Sequence, residues 1–272
     1  MANNKTNNKS GVNIGKMLMQ SWSRYSYIFV LLIILIVYAV TINAGGNNFN
    51  SRHITGILSS QNTVIVGTIA IGMALVIITG QIDLSVGSAL VLCTGVTILV
   101  YNMTNGNVFL MILTALAAGL LCGLINGLLV GLAKMPPFIV TLGTMLIYRS
   151  LTLSFVREID PAYTGSSSSQ FSMLSDMASY DFLRMKFGTG SLKIGNIQLP
   201  YITFLFVALT IFFIFMMSKT KFGKSIYAVG SNEKTSHLTG ISVQWVKVSV
   251  FVITGLLVGI ASFIQACKIG NV

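Results

Sequence analysis

Residues 80 to 88 read GQIDLSVGS. They set one carboxylate, Asp83, and two hydroxyls, Ser85 and Ser88, between apolar runs that start at Val64 and reach Val100. A carboxylate there has two kinds of work open to it. It can cap a helix, whose first backbone N–H groups lack partners. It can also line a polar path, because an ionisable group within a membrane span is a functional candidate by default. The roles are compatible. Gly80 ends one helix, Asp83 or Ser85 caps the next, and a helix N-terminus facing a cavity is a ready polar site. Discontinuous helices of this kind recur beside transporter substrate paths.

A second interruption reads KMPPFIVTLGTMLIYRS, residues 134 to 150. Pro136 and Pro137 suit a helix start, where a missing N–H does no harm. Thr141 and Thr144 share a helix face with Tyr148. Arg149, near the far end of this span, either snorkels to the headgroups or pairs with a carboxylate. A third segment, residues 220 to 247, is polar and carries Gly223, Gly230 and Gly240. Asn232 and Glu233 suit the first turn of a short helix within it. Such a helix between two spans is either a docking element for a cytosolic partner or an ordinary solvated loop. His237 in this segment has no metal partner in view. There is no G-x-x-x-x-G-K-[ST] motif, and no Ser-His-Asp set or carboxylate pair assembles, so the chain itself is read as a non-enzyme without a metal site.

These residues need a scaffold, and composition defines it. Of 272 residues, 54% are hydrophobic and 8% charged, against roughly a quarter charged in soluble domains. The mean hydropathy is +0.81. This is an all-α integral membrane protein. Apolar runs at 27–42, 63–80, 82–101, 108–133, 137–156, 200–217 and 246–266 predict about seven spans, with 63–80 and 82–101 short enough to form a bent or partly re-entrant pair. The first run is too long, and its polar leader too extended, for a cleaved signal peptide. Residues 1–15 read as disordered, and 16–24 as a short interfacial helix that closes the tail 1–24 ahead of a membrane domain 25–272. With the N-terminus inside, the inner segments, including the loop 219–246, hold ten basic residues and one acid, Glu233. That is the expected cytoplasmic bias. The same bias accounts for the net charge of +11 without nucleic acid, because the cations lie between spans rather than in one patch. The outer loop 157–199 balances its charges. GSSSSQ, residues 165–170, reads as flexible, while Met173, Leu174, Phe182 and Leu183 predict a short helix on the membrane surface. Cys93, Cys122 and Cys267 read as small packing residues, with neither metal-ligand nor disulfide spacing.

In the span 108–133, Gly119, Gly123, Gly127 and Gly131 recur every fourth residue, after Ala115. They line one face and admit a second backbone at close range, either inside one subunit or at a seam between two. Gly255 and Gly259 repeat the device in the last span. Asn126, one residue from the stripe, is expected to bond across helices, since a lipid-facing amide is costly.

Three stretches together, ITGQIDLSVGS (78–88), PPFIVTLGTMLIYRS (136–150) and FGKSIYAVGSNEKTSHLTGI (222–241), resemble the permease subunits of bacterial ABC sugar importers, the ribose, galactose and xylose branch. The resemblance runs from about residue 25 to the end. It implies a fold of about ten spans and a permease dimer, of the same chain twice or of two related chains, in the bacterial plasma membrane. It also implies a separate cytosolic ATPase that uses ATP, and an extracytoplasmic sugar-binding protein that delivers a monosaccharide. No cofactor would be held in this chain. Asp83, Ser85, Gly87 and Ser88 match the family's broken-helix motif near the pathway, after Gly80. Thr141, Gly143 and Thr144 match the second motif. The segment with Gly223, Gly230, Asn232, Glu233, Lys234 and Gly240 becomes the region coupled to the ATPase. Three departures stand out. Gln81 occupies a position where relatives commonly carry a second glycine. Lys234, Thr235 and Ser236 replace a usual Glu-Ala-Ala. The family also continues beyond the position of Val272, so the chain is expected to be a truncated permease. The rival readings are an ion-coupled secondary transporter or channel, for which Asp83 is the one acid near a span, and a non-transporting remnant or partner-binding anchor.

Overall fold

The computed structural model describes residues 26, 28–41, 61–164, 170–188, 190–194 and 197–269. The tail and interfacial helix expected over residues 1–24, and residues 165–169 of the serine run, lie outside the described residues. The chain divides into two units, Met1–Ile54 and Thr55–Val272. The first contributes helix α1 (Ile28–Thr41), whose apolar side chains, such as Leu31, Ile34 and Val37, are exposed.

The second unit is a helical bundle. Its elements are α2 (Gln61–Ile78), α3 (Val86–Met103), α4 (Val108–Gly127) with a π turn (Leu128–Leu132), and α5 (Pro137–Glu158). Next come the single turns α6 (Pro161–Thr164) and α7 (Tyr180–Leu183), a second π turn (Arg184–Gly188), and the hairpin β1 (Ser191–Ile194) and β2 (Ile197–Pro200). The chain then forms α8 (Tyr201–Lys219), α9 (Lys221–Ser231), α10 (Glu233–Leu238) and α11 (Val243–Ile269). All seven predicted spans fall on helices. Five, Val86–Met103, Val108–Leu132, Pro137–Glu158, Tyr201–Lys219 and Val243–Lys268, are long and apolar enough to cross a membrane; Ile28–Thr41 and Asn62–Ile78 are shorter. Local chemistry starts several of them. Pro137 stands in the first turn of α5, and the Asn107 side chain accepts from Leu110 N at the head of α4.

Helix α11 is the axis of the bundle, with 72% of its apolar window buried. It lies between α4 and α2. A Cβ at Gly119 would overlap the Gly255 carbonyl oxygen, and one at Gly123 the Phe251 carbonyl oxygen. At Gly127 it would stand 2.9 Å from Val248 O, and at Gly131 2.7 Å from Gln244 O. The glycine stripe therefore packs within one chain, backbone against backbone. On the opposite side, Thr254 Oγ1 donates to Gly72 O at 3.1 Å. Cys93 and Cys122 share a buried cluster with Tyr148 and Val258, and all three cysteines are free and buried, as expected of packing residues.

The segment after α5 corrects the expectation of a surface helix. Met173 and Leu183 are buried in the core, together with Phe171. Leu174 is half-buried, and only Phe182, 52% exposed, faces out. The cause is Asn102 at the end of α3. Its amide donates to Tyr163 O at 2.7 Å and Ser172 O at 2.9 Å, and accepts from Leu174 N at 3.1 Å. Phe171 fills the notch left by Gly95, where a Cβ would sit 2.7 Å from its ring. These bonds satisfy backbone groups that have no strand or helix to satisfy them, and so hold an irregular segment inside the bundle.

Candidate functional site

The end of α2 is closed by its own sequence. Gly80 takes φ +73°, its N–H donates to Ile77 O at 2.9 Å, and Gln81 N donates to Val76 O at 3.0 Å. This pair of bonds is the Schellman closure, which needs a left-handed residue and therefore glycine. Open space surrounds the Cβ position of Gly80, so Gly80→Ala meets only backbone strain. It will cost about 1–2 kcal/mol, measurable as a modest loss of thermal stability in detergent with the fold retained.

From Gln81 to Ser85 the chain is not helical, so α3 starts four residues later than the predicted span at 82. The side chains alternate. Gln81, Asp83 and Ser85 are buried, while Ile82 and Leu84 are 52% and 39% exposed. Here the polar ones turn into the bundle and the apolar ones outward.

Asp83 Oδ1 accepts from Ser85 N at 2.8 Å and from Ser85 Oγ at 2.6 Å. Ser85 Oγ in turn accepts from Asn126 Nδ2 of α4 at 2.8 Å. Neither side chain caps α3 as the sequence suggested: Asp83 binds the N-cap residue itself and no first-turn N–H of the helix. Ser85 holds the N-cap position of α3, but its hydroxyl serves Asp83 rather than the helix. Its carbonyl receives Ala89 N and the Ser88 hydroxyl at 2.9 Å. Bonds to a carboxylate are charge-assisted and roughly twice as strong as neutral ones, which offsets part of the cost of burying it. The amide oxygen of Asn126, itself 2% exposed, has no hydrogen-bond partner among the described residues.

Helix α5 closes on the same segment. Thr141 Oγ1 donates to Pro137 O at 2.9 Å and reaches Ile82 O at 3.4 Å. Thr141, Thr144 and Tyr148 are all buried on one face, as predicted. Thr144 donates within its own helix to Thr141 O, and Tyr148 OH donates across to Cys122 O at 3.2 Å. Gly87 and Gly143 are not drawn in, since nothing beyond their own stretch of helix lies within 4 Å of either Cβ position. Arg149 is exposed and makes no salt bridge among the described residues. The structure therefore gathers Gly80, Gln81, Asp83, Ser85, Ser88 and Thr141 and adds Asn126. The sequence signalled Asn126 as an amide expected to bond across helices, which it does to Ser85 Oγ, without naming its partner.

The segment between α8 and α11 is more helical than predicted. Thr220 caps α9 by accepting from Gly223 N at 3.1 Å. Asn232 caps α10 by accepting from Thr235 N at 3.0 Å, as its position implied. Gly240, at φ +84°, closes α10 with a second Schellman pair, Gly240 N to His237 O and Ile241 N to Ser236 O. Glu233 pairs with Lys247 at 2.6 Å, and Lys234 is exposed. Gly223 and Gly230 are needed for close approach: a Cβ would overlap the carbonyl oxygens of Met217 and Ile78, respectively. Gly230 thereby seats α9 on α2 two residues before Gly80. Beside this seat lies a groove of about 1280 Å³ that runs from α10 and the start of α11 past Lys134 and Pro136 to Gly80 and Gln81.

A family model described as "Branched-chain amino acid transport system / permease component" matches residues 54–272. The chain is 30% identical to the xylose transport system permease protein XylH of Escherichia coli (strain K12), over 93% of this chain and 74% of the relative. It is 32% identical to the fructose import permease protein FrcC of Rhizobium meliloti, over 90% of this chain and 64% of the relative. It is 30% identical to the ribose import permease protein RbsC of E. coli K12, over 89% and 69%. No solved structure matches the chain. A match running from residue 54 to the last residue, together with a polar break buried among membrane-length helices, places this multi-pass membrane chain in the transport-system permease family.

Proposed function

We propose that the chain is the membrane subunit of an ATP-driven importer of a monosaccharide such as xylose, ribose, galactose or fructose. The observation that carries this reading is the buried polar break, Gln81, Asp83 and Ser85 joined to Asn126, in a chain similar to permeases named for those sugars. The permease changes no covalent bond. It alternates between outward-open and inward-open forms, and a second permease subunit completes the path. ATP is bound and hydrolysed by a separate cytosolic ATPase, seated on α9 and α10 around Gly230, Asn232, Glu233, Lys234 and Gly240, with no cofactor in this chain. An extracytoplasmic binding protein delivers the sugar. The N-terminus is cytoplasmic, because the 219–246 segment and Lys134 then carry their cations on the inner side.

The test is reconstitution of the permease with its ATPase and binding protein in proteoliposomes, followed by uptake of labelled sugars. Accumulation that requires ATP is the expected result. Accumulation driven by an ion gradient without ATP would replace this reading with a secondary transporter. Within that assay, Asp83→Asn keeps an oxygen for Ser85 N but removes the charge. Uptake is expected to fall about tenfold, since charge-assisted bonds exceed neutral ones by ~1 kcal/mol or more. Unchanged uptake at every sugar concentration removes Asp83 from the transport role.

A further inference from the structure

The groove beside α10 is lined on one side by α10 and the start of α11, and on the other by the joint between α4 and α5 at Lys134 and Pro136. Two features of its lining point to a partner. The first is apolar. Leu238 is 85% exposed, more than any other large hydrophobic side chain among the described residues, and Trp245 and Met135 are exposed as well. All three line the one groove, so they form a patch rather than scattered surface residues. Leu238 ends a six-residue helix that is otherwise polar, EKTSHL, so lipid is not what covers it. It is also held in place, because Asn232 caps one end of α10 and the Gly240 pair closes the other.

The second is charge. Lys134, Lys234 and Lys247 line the groove, and its one acid, Glu233, is taken by Lys247 at 2.6 Å. Lys134 and Lys234 are exposed and make no salt bridge among the described residues. Lys134 also stands at φ +55°. A side chain in that conformation is strained where glycine is not, so the lysine is carried at a cost in stability. The groove thus offers two unpaired cations beside an apolar rim. Its complement is a segment that sets carboxylates next to apolar side chains. At about 1280 Å³ the groove is larger than the roughly 300–1,000 Å³ usual for small-ligand sites, which fits a protein segment rather than a small molecule.

We infer that the ATPase enters this groove with an acidic segment, whose carboxylates meet Lys134 and Lys234 and whose apolar side chains cover Leu238 and Trp245. The inference rests on the proposed function and goes beyond it. It extends the seat from α9 and α10 to the joint between α4 and α5, and it fixes the charge of the partner's face. The experiment measures binding of the ATPase to the full permease chain in phospholipid-free detergent, and in nanodiscs with and without phosphatidylglycerol. Wild-type affinity is expected to fall as salt rises. Lys134→Glu together with Lys234→Glu is expected to weaken binding about tenfold or more at low salt and to flatten the salt dependence. Lys219→Glu makes the same kind of charge change at an exposed position outside the groove and is expected to cost less than about twofold. Leu238→Ser is expected to weaken binding about tenfold with the salt dependence kept. Lys134→Gly removes the backbone strain, so it will raise the unfolding temperature of the permease and still weaken binding. If the double variant fails to assemble, Lys134→Gln with Lys234→Gln is compared in the same way. Undiminished binding by the double variant, or a loss that Lys219→Glu matches, overturns the inference and leaves the importer reading intact. A loss confined to nanodiscs with phosphatidylglycerol also overturns it and assigns the groove to lipid headgroups. No ATPase binding by wild type, with uptake independent of ATP, overturns both.

Discussion

Gly255→Leu will yield no stably folded permease. A Cβ at position 255 would overlap the Gly119 carbonyl oxygen and stand 2.7 Å from Gly123 Cα and 2.8 Å from Gly123 N. Every one of these neighbours is backbone, so no rotamer change relieves the overlap. The helices α4 and α11 have to part. Because α11 also bonds to α2 through Thr254 and Gly72, moving it opens the core on both of its sides. Overpacking of a well-filled core costs about 1–3 kcal/mol, and values beyond ~4 kcal/mol arise where backbone has to move; this substitution belongs with the larger. The measurement is a thermal-unfolding and size-exclusion comparison in detergent, with aggregated or absent protein as the expected result. Ile125→Ala on α4, where the side chain is 44% exposed, is the control and will leave the profile unchanged. A monodisperse Gly255→Leu protein with wild-type stability would mean that the two glycine faces do not meet.

Gly230→Ala will separate transport from folding. The added methyl would overlap the Ile78 carbonyl oxygen and lie 2.9 Å from Ile78 C. Only the seat of α9 on the end of α2 is affected, so the helix can lift away while the bundle around α11 stays closed. Stability is expected to drop by about 1–2 kcal/mol, but uptake by the complex by at least about tenfold, because closure steps that depend on a seated element lose rate steeply when it is displaced. Gly240→Ala separates the two kinds of glycine. It has φ +84° with open space around it, so it will cost backbone strain of ~1 kcal/mol and leave α9 seated on α2. Normal uptake by Gly230→Ala with normal stability would show that the position of α9 on α2 is irrelevant to the cycle.

Much of this arrangement was legible because short-range rules set it. Apolar run length placed every span. Gly80 marked a helix end through the left-handed conformation it adopts, and Asn232 announced the cap of α10. The four-residue glycine period predicted a close helix contact, although period alone does not say whether the partner is the same chain. The illegible parts depend on distant residues. Nothing near Met173 indicates that Asn102, some seventy positions earlier, will hold the segment inside, so its apolar residues read as a surface helix. The hairpin of β1 and β2, and α9 immediately after α8, were missed for a related reason: a polar stretch between spans has no strong period of its own. At the site, hydroxyls and an acid in an apolar run were conspicuous. The choice of Ser85 as the link between Asp83 and Asn126, rather than as a cap, follows from the position of α4 and could not be read locally. Gln81 was visible as a departure from its family, but its burial is a property of the folded bundle.

The alternating segment 81–85 also has a consequence for how the chain is made. Its ends are satisfied close by, Gln81 N by Val76 O and Ser85 N by Asp83, but two of its polar groups, Ile82 O and Ser85 Oγ, also bond to distant helices, and a bilayer offers nothing in their place. Its partners arrive late. Asn126 follows Ser85 by 41 residues, and Thr141 follows Ile82 by 59. At a synthesis rate of about 5–20 residues per second, several seconds pass before those groups exist. During that interval the polar joint between α2 and α3 has only its local bonds, from Gln81 to Val76 and between Asp83 and Ser85. The pair therefore has to wait at the interface or inside the insertion machinery, and α4 and α5 complete its entry into the membrane. The last bonds of this joint therefore close only after α4 and α5 have been made.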